Sequence, residues 1–333
     1  MPELEGSTGK GELFTSPDVD AARAFFAGKS REMTDKRMTV SEAVRRFIHA
    51  GEYFASGGFG GTRIATAVLH EIVRQRITGL GFAGHTATHD FEILAAGKAF
   101  DRCDVAYVVG LERRGLSPTS RRYLESGAVR TTEWSNATLL WRYKAAAMGV
   151  PFLPARALLG TQTYEYSAGK TIECPFTGTK LLALPALFPD VGVIHVHRAD
   201  KFGNAQVDGI GIADYDMSRA CKRLIITTEQ IVETELIRSA PNQTFIPYWL
   251  VDAVCEVRYG SYPGNMPYEY FSDEKHMAEW IKAGKDESTM NAFMDKYIYG
   301  TKNFEEYLEL CGGEKRIQEL HQIEPLRRAG EAA

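Results

Sequence analysis

The chain has 333 residues, 44% of them hydrophobic, enough to bury a large core as one α/β domain or two closely fused ones. Its net charge of −4 contains no block of one sign, and no apolar run approaches a membrane span, which argues against nucleic-acid and membrane partners. Cys103, Cys174, Cys221, Cys255 and Cys311 are too scattered for a zinc site or a disulfide framework; with neither a basic nor an apolar leader at the start, a cytoplasmic setting is expected.

Residues 1–35, with Gly6, Gly9, Gly11, Ser16 and Pro17, read as a loose N-terminal arm with room for a helical turn over 19–26. Thr39 and Glu42 form a capping box, and Val40, Val44, Phe47 and Ile48 line one face of the helix it opens. A strand over 53–57 then enters Ser56-Gly57-Gly58-Phe59-Gly60-Gly61-Thr62-Arg63, and Ile64, Val68, Leu69, Ile72 and Val73 are spaced for an amphipathic helix leaving it. Further strands are expected over 80–83, 105–109, 152–155, 191–196, 224–227 and 251–257, and helices over 137–148, 274–282, 289–299 and 304–310. The alternation predicts an α/β fold, an open, mainly parallel sheet covered by helices. The main domain is expected over residues 36–320, with a C-terminal tail over 321–333.

The glycine-rich turn admits two readings. Glycine leaves main-chain N–H groups uncovered, and a strand-to-helix turn aims them at one point, where they bind an anion or the oxyanion of an attacked acyl carbonyl. Alternatively, the glycines only let strand and helix pack closely. A dinucleotide fingerprint is disfavoured, because Arg63 stands where the third glycine belongs.

Two loops stand near this turn in the expected fold. His85-Thr86-Ala87-Thr88-His89-Asp90 follows a strand; its two histidines are four apart, but no clear third ligand accompanies them, so a polar pocket wall is favoured over a metal site. Glu112-Arg113-Arg114-Gly115-Leu116-Ser117 follows another strand at its carboxyl end, where Arg113 or Arg114 is suited to a substrate carboxylate or a phosphate, the alternative being a solvent-facing charge. His195 and His197 alternate on an apolar strand and point to one face; His195 reads as structural and His197 stays open.

Phe54 through Ile64 resembles the glycine-rich loop of family I coenzyme A transferases. The likeness continues through Ser120-Arg121-Arg122, Ala145-Ala146-Ala147-Met148-Gly149-Val150-Pro151-Phe152-Leu153-Pro154, His195-Val196-His197-Arg198-Ala199-Asp200-Lys201-Phe202-Gly203-Asn204 and Val251-Asp252-Ala253-Val254, in the order of the family's glutaconate-type α subunits. The resemblance implies the CoA-transferase (NagB/RpiA-like) fold and acyl transfer through a glutamyl-CoA thioester. Coenzyme A is then a substrate, with no permanently bound cofactor and no metal. The nucleophilic glutamate of two-subunit members lies on the β chain in a loop this sequence lacks. Leu124-Glu125-Ser126-Gly127, its nearest look-alike, reads as a helix end with Gly127 after it. A β-subunit partner is therefore implied, in an α2β2 or larger hetero-oligomer.

On that reading Gly58, Phe59 and Gly60 form the oxyanion loop, and Gly57, Thr62, Arg63, His85, Thr86, Thr88, Arg113, Arg114 and Asn136 contact substrate. The alternative is a ring-opening or thioester acyl-CoA hydrolase of the same fold, with this chain as one of its subunits. Such hydrolases carry a glutamate near position 136; Asn136 cannot act as a general base, although Glu133 is three residues away.

Overall fold

The computed structural model describes residues 8–108, 115 and 117–328. Twelve strands are found among them: β1 (Tyr53–Ser56), β2 (Leu80–Gly84), β3 (Phe100–Val105), β4 (Arg130–Glu133), β5 (Phe152–Ala155), β6 (Lys170–Glu173), β7 (Lys180–Pro185), β8 (Val191–Ala199), β9 (Ala205–Gln206), β10 (Arg223–Ile231), β11 (Thr244–Ile246) and β12 (Ala253–Glu256). Seven of these pair in parallel in the order β12-β10-β8-β1-β2-β3-β4. The short β9 runs antiparallel to the end of β8, and β11 runs antiparallel to β9.

The central strands are apolar on both sides because helices cover both faces. Phe54 of β1 joins Val68, Ile72, Phe82 and Phe91 in one core layer. Ala55, one residue on, joins Leu139, Tyr143, Ile194 and Leu224 in the other. The expected mainly parallel α/β sheet is therefore present. From β1 the chain proceeds outward through β2, β3 and β4, then returns to add β8, β10 and β12 on the other side. The turn after β1 thus lies at the carboxyl edge where strand order reverses, the place where open α/β sheets bind ligands.

Several expectations are corrected. The strand expected over 105–109 is instead β3, which starts at Phe100 and carries Asp101, Arg102 and Asp104. Those charges hide it from an apolar reading, yet Asp104 is buried because Trp134 Nε1 (2.6 Å), Arg142 Nη1 (2.5 Å) and the Tyr53 hydroxyl all bond its carboxylate. A second, antiparallel sheet, β5-β7-β6, is not foreseen by the sequence pattern beyond β5.

The arm is not loose over its described part. Gly9 and Gly11 N–H groups donate to Gly169 O (3.0 Å) and Ser167 O (2.9 Å). A Cβ on Gly9 would stand 2.1 Å from Ser167 O, so only glycine permits the approach. Asp18 caps a helix over Val19–Gly28, and the Lys29 ammonium lies 2.6 Å from Asp252. The boundary at 320 also fails, since the helix Gly313–Ile323 runs across it and Arg328 reaches Glu269 at 2.5 Å.

Candidate active site

The capping box predicted at Thr39 forms, and helix Val40–Phe47 leads through Gly51 into β1. The glycine turn then folds back on itself: Phe59 N–H donates to Thr62 O at 3.0 Å and Thr62 N–H to Phe59 O at 2.9 Å. Gly58 has φ +87°, and a Cβ there would meet Thr62 O at 2.6 Å. Close packing therefore requires glycine at 58, whatever else the turn does.

The turn's donors are largely taken. Gly57 N–H reaches Val193 O at 2.9 Å, Gly58 N–H reaches Asp214 Oδ1 at 2.8 Å, and Gly60 N–H reaches Thr86 O at 3.1 Å. The oxyanion role expected of the Gly58, Phe59 and Gly60 N–H groups is corrected accordingly, because each already has an acceptor within the chain. Gly61 N–H makes no hydrogen bond among the described residues.

Arg63 is also corrected as a substrate contact. Its side chain is fully buried and pairs with Asp214 Oδ2 at 2.5 Å, while Nη1 donates to His195 O at 3.2 Å. Thr62 Oγ1 donates to Asn265 Oδ1 at 2.6 Å, and Asn265 N–H donates to Gly61 O at 2.8 Å. Thr88 Oγ1 donates to Gly60 O at 2.7 Å. Gly57, Thr62, Arg63 and Thr88 thus brace the turn.

His85, Thr86 and Asn136 form a different group beside it. The His85 ring lies 5.7 Å from the Phe59 ring, and its Nε2 is 2.8 Å from Asn136 O at the start of helix Asn136–Met148. Among the described residues, His85 Nδ1, Thr86 Oγ1 and Asn136 Oδ1 are buried and find no hydrogen-bond partner. Burial holds the His85 pKa below the ordinary histidine value. Next to them Asp90 accepts from Thr88 N–H at 2.7 Å, and burial lifts its pKa to about 6 against the pull of backbone donors. Arg113 and Arg114 lie outside the described residues.

His89 does not join His85 in a metal pair; its ring packs against Trp280 at 5.0 Å. Among the described residues no three His, Cys, Asp or Glu side chains are arranged to hold a metal, and no helix is long and apolar enough to cross a membrane. His195 bonds Thr227 and Glu229, and His197 bonds Pro267 O and Asp208 N–H, so both serve the fold. Sequence reasoning does not anticipate Asp214 or Asn265, which have no local spacing signal. It marks Asp90 only as a neighbour of the histidines.

A glycine turn at the switch point, walled by polar atoms without partners among the described residues, makes this edge the candidate ligand site. The family model of coenzyme A transferase matches residues 37–257. The chain belongs to the coenzyme A transferase family. It is 34% identical over 274 residues to the A-subunit of 3-oxoadipate CoA-transferase from Pseudomonas knackmussii, covering 81% of this chain and 96% of that one. It is 51% identical over 321 residues to an uncharacterized protein of Archaeoglobus fulgidus, covering 96% of this chain and 72% of that one. The crystal structure of glutaconate coenzyme A-transferase from Acidaminococcus fermentans superposes with a TM-score of 0.83 at 29% identity, covering 86% of this chain and 95% of that one. Within this coenzyme A transferase, the glycine turn and residues 85–90 sit inside the matched span.

Proposed function

We propose that the chain is the α subunit of a heteromeric CoA-transferase whose β-type partner carries the nucleophilic glutamate, in an α2β2 or larger assembly. The 3-oxoadipate CoA-transferase relative and the family model support transfer, and hydrolysis is not favoured. One observation about the chain's own groups carries the partner assignment. Transfer in this family runs through a carboxylate nucleophile, and among the described residues the carboxylates beside the turn are already engaged within the chain: Asp214 with Arg63 and Gly58 N–H, Asp90 with Thr88 N–H.

In this reading the partner's glutamate attacks the acyl-CoA carbonyl, coenzyme A leaves as thiolate, and an acyl-glutamyl anhydride forms. The thiolate then attacks the glutamyl carbonyl, releasing the first acid and leaving a glutamyl-CoA thioester. An acceptor carboxylate reverses both steps. This chain contributes the wall of the acyl pocket, with Gly61 N–H as the donor toward developing negative charge and His85, Thr86 and Asn136 facing the acyl group. Coenzyme A is a substrate, and no permanently bound cofactor is needed. The five cysteines are all free thiols, which supports a reducing, cytoplasmic setting.

The experiment is reconstitution. The chain alone is expected to move no coenzyme A between an acyl-CoA and an acid, and activity is expected on adding the β-type partner. Steady transfer by the rigorously purified single chain would sink the reading.

A further inference from the structure

The three unpartnered atoms on the turn's wall have a definite chemistry. A buried polar group left without a hydrogen bond costs about 1–3 kcal/mol, and native proteins rarely leave one so. Three that lie together without a partner among the described residues therefore mark a place for something else to complete the bonding: His85 Nδ1, Thr86 Oγ1 and Asn136 Oδ1, with His85 and Thr86 only 5% and 4% exposed.

The His85 tautomer follows from its one bond. Asn136 O is a carbonyl and can only accept, so the Nε2 that sits 2.8 Å away carries the proton. In the neutral ring Nδ1 is then a bare lone pair. Asn136 Oδ1 adds a second acceptor, and the Thr86 hydroxyl turns either way. Two lone pairs repel a carboxylate and receive an O–H or N–H. Among the described residues, the turn's own cation, Arg63, does not change this, because Asp214 pairs with it.

We propose that His85 Nδ1 selects substrate by accepting a hydrogen bond from a donor on the acyl-CoA, either a hydroxyl of the acyl chain or an amide N–H of the pantetheine arm. The inference deepens the transferase reading and rests on it. A site built around a substrate hydrogen bond discriminates strongly against the analogue that lacks it, because the protein atom is then buried without a partner. A hydroxy acid is accordingly favoured over its deoxy counterpart when the donor is the acyl hydroxyl.

The test uses the reconstituted two-subunit enzyme and pairs of hydroxy and deoxy acids of equal length. With an acyl hydroxyl as donor, wild type prefers the hydroxy acid in kcat/KM by about tenfold or more. His85→Phe, which keeps a flat ring without the lone pair, brings the ratio near one by slowing only the hydroxy acid. With a pantetheine amide as donor, both acids slow equally in His85→Phe, and the loss disappears with acyl thioesters of simple alkyl thiols. Nitrogen-15 spectra of wild type provide the second measurement, should His85→Phe fail to fold: the His85 Nδ1 signal is expected to move when acyl-CoA binds. No hydroxyl preference in wild type together with an unmoved Nδ1 signal overturns the proposal and leaves the wall to ordered water. Absence of transfer with every acid while Nδ1 still responds to acyl-CoA would instead defeat the transferase reading alone.

Discussion

Two histidine-bearing segments, strand β8 and the loop after β2, lie toward the carboxyl edge of the sheet, and they differ in what their ring nitrogens do. On β8, His195 Nδ1 and Nε2 stand 2.8 and 2.9 Å from Thr227 Oγ1 and Glu229 Oε1. His197 Nε2 donates to Pro267 O at 2.8 Å, and Nδ1 accepts from Asp208 N–H at 3.0 Å. All four nitrogens are satisfied from within the chain. After β2, by contrast, His85 is half satisfied among the described residues, and Thr86 and Asn136 beside it keep open atoms there. Similar burial therefore does not imply equal roles; a saturated polar group holds the fold, and on the proposed reading an unsaturated one awaits a ligand.

The strongest way to break this contrast is through the saturated side's link to the turn. Asp214→Ala leaves Arg63 buried without its counter-ion and Gly58 N–H without an acceptor. Breaking a buried pair by removing one partner costs about 3–5 kcal/mol, so denaturant unfolding is expected to show a loss of that size. A loss under about 1 kcal/mol would mean that the turn is not anchored there.

Two glycines sharpen the same point. Gly58→Ala places a Cβ 2.6 Å from Thr62 O at φ +87° and is expected to cost about 2–4 kcal/mol. Gly127, after helix Pro118–Glu125, has φ +76° but nothing within 4 Å of an added Cβ, so Gly127→Ala should cost only about 1–2 kcal/mol. Equal losses would show that backbone conformation alone, not packing of the turn, fixes Gly58.

The smaller effects lie in pH, where the two regions have opposite signs. Burial raises Asp90 from 3.8 to about 6, so the native state holds this proton more tightly than the unfolded chain. Its contribution is fully present below pH 3.8 and is lost as pH rises through 6, about 2–3 kcal/mol in all. Burial lowers His197 from 6.5 to about 4, so its contribution is fully present above pH 6.5 and is lost as pH falls through 4, by about 3 kcal/mol. Stability measured from about pH 4 to 8 should lose the first slope in Asp90→Asn and the second in His197→Gln. Unchanged profiles in both variants would contradict the burial of these groups.

Much of the fold is legible in the sequence because local signals agree with tertiary ones. The Thr39–Glu42 box, the strand before Gly57 and helix Phe304–Leu310 all follow from capping or apolar spacing. β3 escapes an apolar reading because its charges find partners far along the chain, and β6 and β7 escape it because an antiparallel side sheet leaves only short, mixed patterns. At the site, the sequence locates the glycine turn, His85, Thr86 and Asn136 but not which donors remain open. That depends on Asp214 and Asn265, which lie 156 and 203 residues from Gly58 and Thr62 and have no local signature.

The division of labour between this chain and its partner is tested most directly by trapping. The reconstituted enzyme is treated with acyl-CoA and then borohydride, which reduces a glutamyl-CoA thioester to an alcohol, and the intact masses of both chains are measured. The account predicts a changed mass on the partner, at a glutamate, with this chain unchanged. A reduced carboxylate on this chain, at Asp90 or elsewhere, would contradict it.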